Sequence, residues 1–274
     1  MAKDRPKGEV RKVMAACLAG QVVEWFDYGL YGLLAANIAV HFFPSDDPTA
    51  GLLSTFAVFG VAFVVRPIGG IVLGRLGDVR GRHQVLVVSI ILMTIATTLI
   101  GVTPGAAQIG LAAPILLVLA RALQGFSTAG ESTSSTTYVA ESVPEHRKGF
   151  FGAILLAGNS AGLLLATATI AVIQSQMSEA DFAAWGWRIP FLIAVPMGGI
   201  AFYIRRKLEE TPDFVEWQEQ GIISEQPLKD TFTSGLTQLL QGIGIGAISF
   251  IAHYLIMSYL PTHLKLQGIC LLYT

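Results

Sequence analysis

The chain has 274 residues, 53% of them hydrophobic and only 14% charged, with a mean hydropathy of +0.59; this excludes a soluble domain of ordinary composition and makes lipid the expected solvent. A formal net charge of −1 provides no basic field to recruit nucleic acid, so none is expected as a partner. Cys17 and Cys270 lie at opposite ends without CxxC spacing, which signals neither a disulfide framework nor a metal site.

Residues 1–12 form a short basic tail, and the apolar run behind it carries Glu24 and Asp27 without a small-residue cleavage site, unlike a signal peptide. Seven stretches are long and apolar enough to cross a bilayer as helices: about 13–40, 52–76, 84–102, 109–138, 150–173, 187–204 and 235–260. On the first, Gln21, Glu24, Asp27, Tyr28 and Tyr31 share an arc of about 120° at 100° per residue. The second carries Arg66, then Pro67, which permits a bend, and the small-residue pair Gly70 and Gly74. The turn that follows, through Gly74, Gly77, Asp78, Gly81 and Arg82, is glycine-rich and charged. Asp78 can there cap a helix N-terminus or pair with a base, and Arg82 can pair with an acid, forming a conformational latch.

The fourth stretch places Arg121, Gln124, Thr128, Glu131 and Ser135 within about 80° of arc. Exposing Glu24, Asp27, Arg66, Arg121 and Glu131 to hydrocarbon would cost about 12–17 kcal/mol, so they are expected to face protein or water. Counting residues from the basic end sets Asp27 and Arg121 near the midplane and Glu131 nearer the mouth. Either these charges pair to hold helices together, or they serve substrate and protons. The fifth stretch carries Gly158 and Gly162 at GxxxG spacing, the sixth begins at Trp187 and Arg188, and the seventh carries Gly242 and Gly246.

Fourteen of the 18 Lys and Arg residues fall in the tail and in the loops after the second, fourth and sixth stretches. The positive-inside rule then puts the N-terminus in the cytoplasm of a multi-pass protein in the cell membrane. Six spans, a connector and a seventh span are the organisation of a transporter with two six-helix halves; a seven-helix receptor would ordinarily have the opposite orientation. The expected units are a cytoplasmic tail at 1–12, a six-helix bundle at 13–204, a cytoplasmic connector at 205–234, a seventh helix at 235–260 and an atypical tail at 261–274. No GxxxxGK[ST] or HExxH pattern is present, and Gly125-Phe126-Ser127-Thr128-Ala129 fails the GxSxG pattern at its last position, so no ATP site and no enzyme chemistry is expected.

Several motifs occur in order. They are Glu24-Trp25-Phe26-Asp27-Tyr28; Arg66-Pro67-Ile68-Gly69-Gly70 with the Gly74–Arg82 turn; Arg121, Gln124, Gly125 and Glu131; Glu141, Pro144 and Arg147; Trp185–Phe191; and Glu210-Thr211-Pro212 with Phe214. Together they resemble the metabolite:proton symporters of the major facilitator superfamily, with Gln21 standing where that family has Asn and Ala129 where a second glycine is usual. The resemblance implies an all-α membrane fold: the superfamily's N-terminal six-helix bundle, a connector and a seventh transmembrane helix. It further implies proton-coupled symport of a small organic acid, a keto acid or a proline/betaine-like zwitterion, with the proton as coupling ion and no other cofactor. Glu24, Asp27, Arg66, Arg121, Gln124 and Glu131 are the expected substrate and coupling residues. Twelve spans are usual in the family, so a C-terminal half needed for the transport path is expected to be missing. A truncated, non-transporting fragment and an uncoupled facilitator are the alternatives.

Overall fold

The computed structural model describes residues 7–221, 229 and 235–254, and within these it is helical without a strand. The chain divides into two compact units, Met1–Ser224 and Glu225–Thr274.

The first unit contains α1 (Lys7–Leu33), α2 (Ala35–Phe42), α3 (Pro48–Arg80), α4 (Arg82–Val102), the short α5 (Ala106–Ile109), α6 (Ala112–Ser142), α7 (Lys148–Ser175), α8 (Glu179–Ala184), α9 (Ile189–Arg205) and α10 (Pro212–Glu219). Local chemistry marks their starts. Asp47 accepts the Thr49 N–H at 2.9 Å with Pro48 opening α3, and Thr211 accepts the Phe214 N–H at 3.3 Å with Pro212 opening α10; both are side-chain caps followed by a proline whose missing N–H costs nothing there. α10 falls within 209–220, where the mix of charged and aromatic residues in the connector predicts a short amphipathic helix with Phe214 and Trp217 at the membrane surface. Phe214 is instead buried, and only Trp217 is exposed.

Among the described residues, five helical segments are long and apolar enough to cross a membrane: Pro48–Arg80, Arg82–Val102, Ala112–Ser142, Glu145–Ser175 and Gly186–Arg205. Their outer faces present side chains such as Val64, Leu119 and Leu164, as a lipid-facing surface requires. α1 is less apolar because Glu24 and Asp27 interrupt it, but it packs against α7, α9 and α6 and buries Cys17, Phe26, Leu30 and Tyr31 completely. The expected unbroken helix from 13 to 40 is corrected: Leu34, at φ −99° and ψ 12°, separates α1 from α2. The i to i−4 hydrogen bonds Leu34–Leu30 and Ile38–Leu34 persist across this joint, so it is a local unwinding with little lost bonding.

α3 lies along α6 and α7 along α1, while α4 bridges α6 and α9. A Cβ on Gly125 would collide with the backbone of Ala62, and one on Gly162 would come within 2.6 Å of the Val22 carbonyl, so both helix pairs meet backbone to backbone. The expected pair Gly70 and Gly74 does not make the α3–α6 contact; Gly69 does, against Phe126, while a Cβ on Gly74 would meet nothing within 4 Å. At one end of the bundle Trp187 stacks near His41, and Arg188 donates to the carbonyls of Gly101 and Thr103. The Gly81 turn, Glu141 and Glu210 gather at the other.

The second unit's described helix is α11 (Leu236–Tyr254). The N-terminal residues 1–6, the connector at 222–228 and 230–234, the end of the expected seventh helix at 255–260 and the tail at 261–274 lie outside the described residues.

Candidate functional site

The polar faces of α1 and α6 meet inside the bundle. Asp27 on α1 accepts from Gln124 Nε2 at 2.6 Å and from Thr97 Oγ1 of α4 at 2.7 Å, and stands 3.5 Å from Arg121. Arg121 Nη1 donates to Gln124 Oε1 at 2.6 Å. Asp27 and Gln124 are almost fully buried and Arg121 completely so. The Arg121 guanidinium lies over the rings of Tyr31, Phe59 and Tyr28 at 4.3, 4.7 and 5.5 Å, a stacking that guanidinium favours. Its Nε and Nη2 have no hydrogen-bond partner. Two unsatisfied donors on a buried cation are costly unless an acceptor arrives, and a carboxylate is the acceptor whose two oxygens suit that fork.

Beside this cluster Glu24 accepts from Ser132 Oγ at 3.2 Å and lies 3.8 Å from Arg66. Arg66 donates to the Tyr28 hydroxyl at 2.6 Å and rests over the Tyr28 and Phe63 rings.

Glu131, which counting along the chain sets nearer the basic end than Asp27, does not open on water. It is fully enclosed in a two-pronged pair with Arg205, whose Nη1 donates at 2.5 Å to one carboxylate oxygen while Nη2 donates to the other. Arg205 also donates to the carbonyls of Leu86 and Ala16. The charge counted as a loop residue therefore ties α9 to α1, α4 and α6. A side chain at Gly20 would occupy the place of this pair.

At the basic end, Asp78 pairs with Arg82 at 2.5 Å, and Arg82 Nε lies 3.9 Å from Glu141. Of the two roles open to Asp78 the structure shows the pairing. Capping of α4 falls to Glu210, which accepts the backbone N–H groups of Arg82 and His83 at 3.0 and 3.1 Å and so places a carboxylate at a helix N-terminus. Gly81, at φ 100°, holds a left-handed turn directly against Glu210. Gly77 is buried beside Arg82 and Val85, and a Cβ on Gly74 would meet nothing within 4 Å. Sequence reasoning missed Thr97, Arg205 and Glu210 as partners. Thr97 and Arg205 had no motif to mark them, whereas Glu210 stood in one.

Residues 12–232 match the family described as Sugar (and other) transporter. The proline/betaine transporter of Salmonella typhimurium is 40% identical over 267 residues, covering 94% of this chain and 53% of the relative. The glycine betaine/proline/ectoine/pipecolic acid transporter of Dickeya dadantii is 38% identical with the same coverage. The chain thus spans about half the length of the curated relatives it matches. Among solved structures, the E. coli xylose transporter XylE in a partially occluded inward-open conformation aligns with a TM-score of 0.70 at 17% identity, over 90% of this chain and 61% of that one. The proton:xylose symporter XylE bound to 6-bromo-6-deoxy-D-glucose gives 0.72 at 16%, over 97% and 57%. The match over most of its length and the five helices apolar enough to cross a membrane make one assignment: the chain is a multi-pass membrane protein belonging to the Sugar (and other) transporter family, with the fold of the solved major facilitator superfamily symporter, in a family of transporters rather than enzymes.

Proposed function

We propose that this chain supplies the N-terminal half of a proton-coupled symporter for a small organic acid or zwitterion in the cell membrane, with its N-terminus in the cytoplasm. The observation that carries the reading is the buried Asp27–Arg121–Gln124 cluster with two guanidinium donors left over. Arg121 takes the substrate carboxylate on Nε and Nη2. Asp27, then sharing its cation with a second anion, takes up a proton; Glu24, held only by Ser132 and a 3.8 Å approach to Arg66, is the second carboxylate able to do so. Relatives named for proline and betaine favour the zwitterion over the keto acid. Glu131, locked by Arg205, serves the scaffold. The Arg82–Asp78–Glu141 and Glu210 contacts form the latch that opens as the path alternates. No cofactor beyond the proton is assigned, and the path is expected to need segments equivalent to the second half of the longer relatives.

The test is uptake of radiolabelled proline, glycine betaine and α-ketoglutarate into proteoliposomes with and without an imposed proton gradient. Accumulation of a zwitterion that collapses with a protonophore supports the reading. Flux that only equilibrates would make the chain a facilitator, and no flux would leave it a fragment without transport of its own.

A further inference from the structure

Three aromatic rings stand together beside the Arg121 cluster. Tyr28, Phe59 and Phe63 have ring centroids 5.5–6.2 Å apart, and a cation lies against each end of the group. Arg121, completely buried, covers the Phe59 end. Arg66, one-third exposed, covers the Phe63 end, 4.8 Å from that ring and 5.1 Å from Tyr28. The two guanidinium groups share one ring, Tyr28.

Their circumstances differ. Arg121 is pinned by Asp27 and Gln124 on a wall of the bundle. Arg66 has one side-chain hydrogen bond, to the Tyr28 hydroxyl, a 3.8 Å approach to Glu24 at the limit of an ion pair, and an unpartnered Nε. Phe63 beside it is 45% exposed, so the group is open at the Arg66 end. Two aromatic rings, Tyr28 and Phe63, hold the Arg66 cation, and rings so placed attract cations, most of all a poorly hydrated alkylated ammonium. Arg66 can leave them by closing on Glu24.

We infer that Tyr28 and Phe63, backed by Phe59, form an open cage for an alkylated ammonium group, that Arg66 is its internal plug, and that the ligand class is a short zwitterion whose cationic end displaces Arg66 while its carboxylate binds Arg121. This rests on the Arg121 reading above and adds the other end of the ligand. It also accounts for the paired composition of the site, since a dianionic keto acid would have no use for a cage of rings.

Isothermal titration calorimetry on the full 274-residue chain in lipid nanodiscs tests it. The probes are glycine betaine, its uncharged-headed carbon isostere 3,3-dimethylbutanoate, and tetramethylammonium. Glycine betaine is expected to bind about tenfold tighter than the isostere. Phe63→Leu, which touches Arg66 and not Arg121, brings the two within about twofold without weakening the isostere. Arg66→Gln, which removes the plug, tightens glycine betaine severalfold, whereas a structural Arg66 would make the same change weaken it. Equal binding of betaine and isostere to the unaltered chain overturns the cage and leaves the carboxylate reading standing. Tetramethylammonium that binds alone and is lost in Phe63→Leu supports the cage and overturns the Arg121 reading. Binding of no probe overturns both.

Discussion

The guanidinium of Arg205 enters the bundle from the end of α9 and finds in Glu131 a carboxylate of matching shape, with the Leu86 and Ala16 carbonyls taking further N–H groups. Removing either partner strands a charge where neither water nor another ion reaches it, which costs about 3–5 kcal/mol. Arg205→Leu and Glu131→Leu are therefore each expected to lower the thermal unfolding midpoint sharply, and the double variant much less than the two effects combined. A double-mutant cycle by tryptophan fluorescence in detergent reads this, and additive losses would mean that the pair is not coupled. Arg121 makes a different demand, because its free donors are a fork: Arg121→Lys keeps the charge and loses the geometry, so the apparent KM for carboxylate-bearing substrates is expected to rise by about tenfold or more, with stability little changed. Kinetics of uptake set beside the melting curve separate those two effects. The candidate site was half legible at this scale. Asp27, Arg121 and Gln124 declare themselves, because a charge in an apolar stretch must have an inward reason. Thr97 is one threonine among many, and Arg205 reads as a cytoplasmic charge because it stands next to Arg206 and Lys207; its partner lies 74 positions upstream, a distance that no local pattern spans.

At the scale of elements, apolar length located the helices but not their starts. The second stretch, set at 52, begins at Pro48 behind the Asp47 cap, a signal that apolar length does not register, whereas GxxxG spacing picked out Gly158 and Gly162, which do abut α1. The same spacing at Gly70 and Gly74 pointed to the wrong residues, because periodicity shows which glycines share a face but not which turn of the opposite helix arrives there. On α3 and α6 it is Gly69 and Gly125 that meet Phe126 and Ala62. Gly125→Leu is accordingly expected to push the two helices apart and to cost about 1–3 kcal/mol, whereas Gly74→Ala, in open space, should stay within about 0.5 kcal/mol of the original. Thermal unfolding of the two variants side by side checks this, and equal effects would contradict the contact. The joint at Leu34 had only a weak signal: no proline sits there, Gly32 stands two residues before it, and its hydrogen bonds continue almost as in a helix.

For the whole molecule, the packing of α7 on α1 resembles that of α3 on α6, as in a bundle built from two three-helix repeats. Such a bundle has two unlike ends, and the described charges divide between them. The end with His41, Thr103 and Trp187 has Asp46, Asp47, Glu179 and Asp181, with Arg188 as its cation. The opposite end carries Arg75, Arg80, Arg82, Arg147, Lys148, Arg206 and Lys207. Under the proposed topology, in which insertion retains Lys and Arg in the cytoplasm, this second end is expected inside, and alternation of the long helices then fixes the side expected for every loop. In a background with both native cysteines replaced, Ser45→Cys is expected to react with a membrane-impermeant maleimide applied to intact cells, because Ser45 is exposed between α2 and α3. Glu145→Cys, equally exposed between α6 and α7, should react only after the membrane is opened. Ser45 accepts only the exposed Asp47 N–H and Glu145 makes an exposed pair with Lys148, so neither change is expected to disturb folding. Labelling of position 145 alone from outside would invert the molecule, turning the Arg82–Glu210 contact outward. Labelling of both from outside would break the alternation on which the six-span bundle depends.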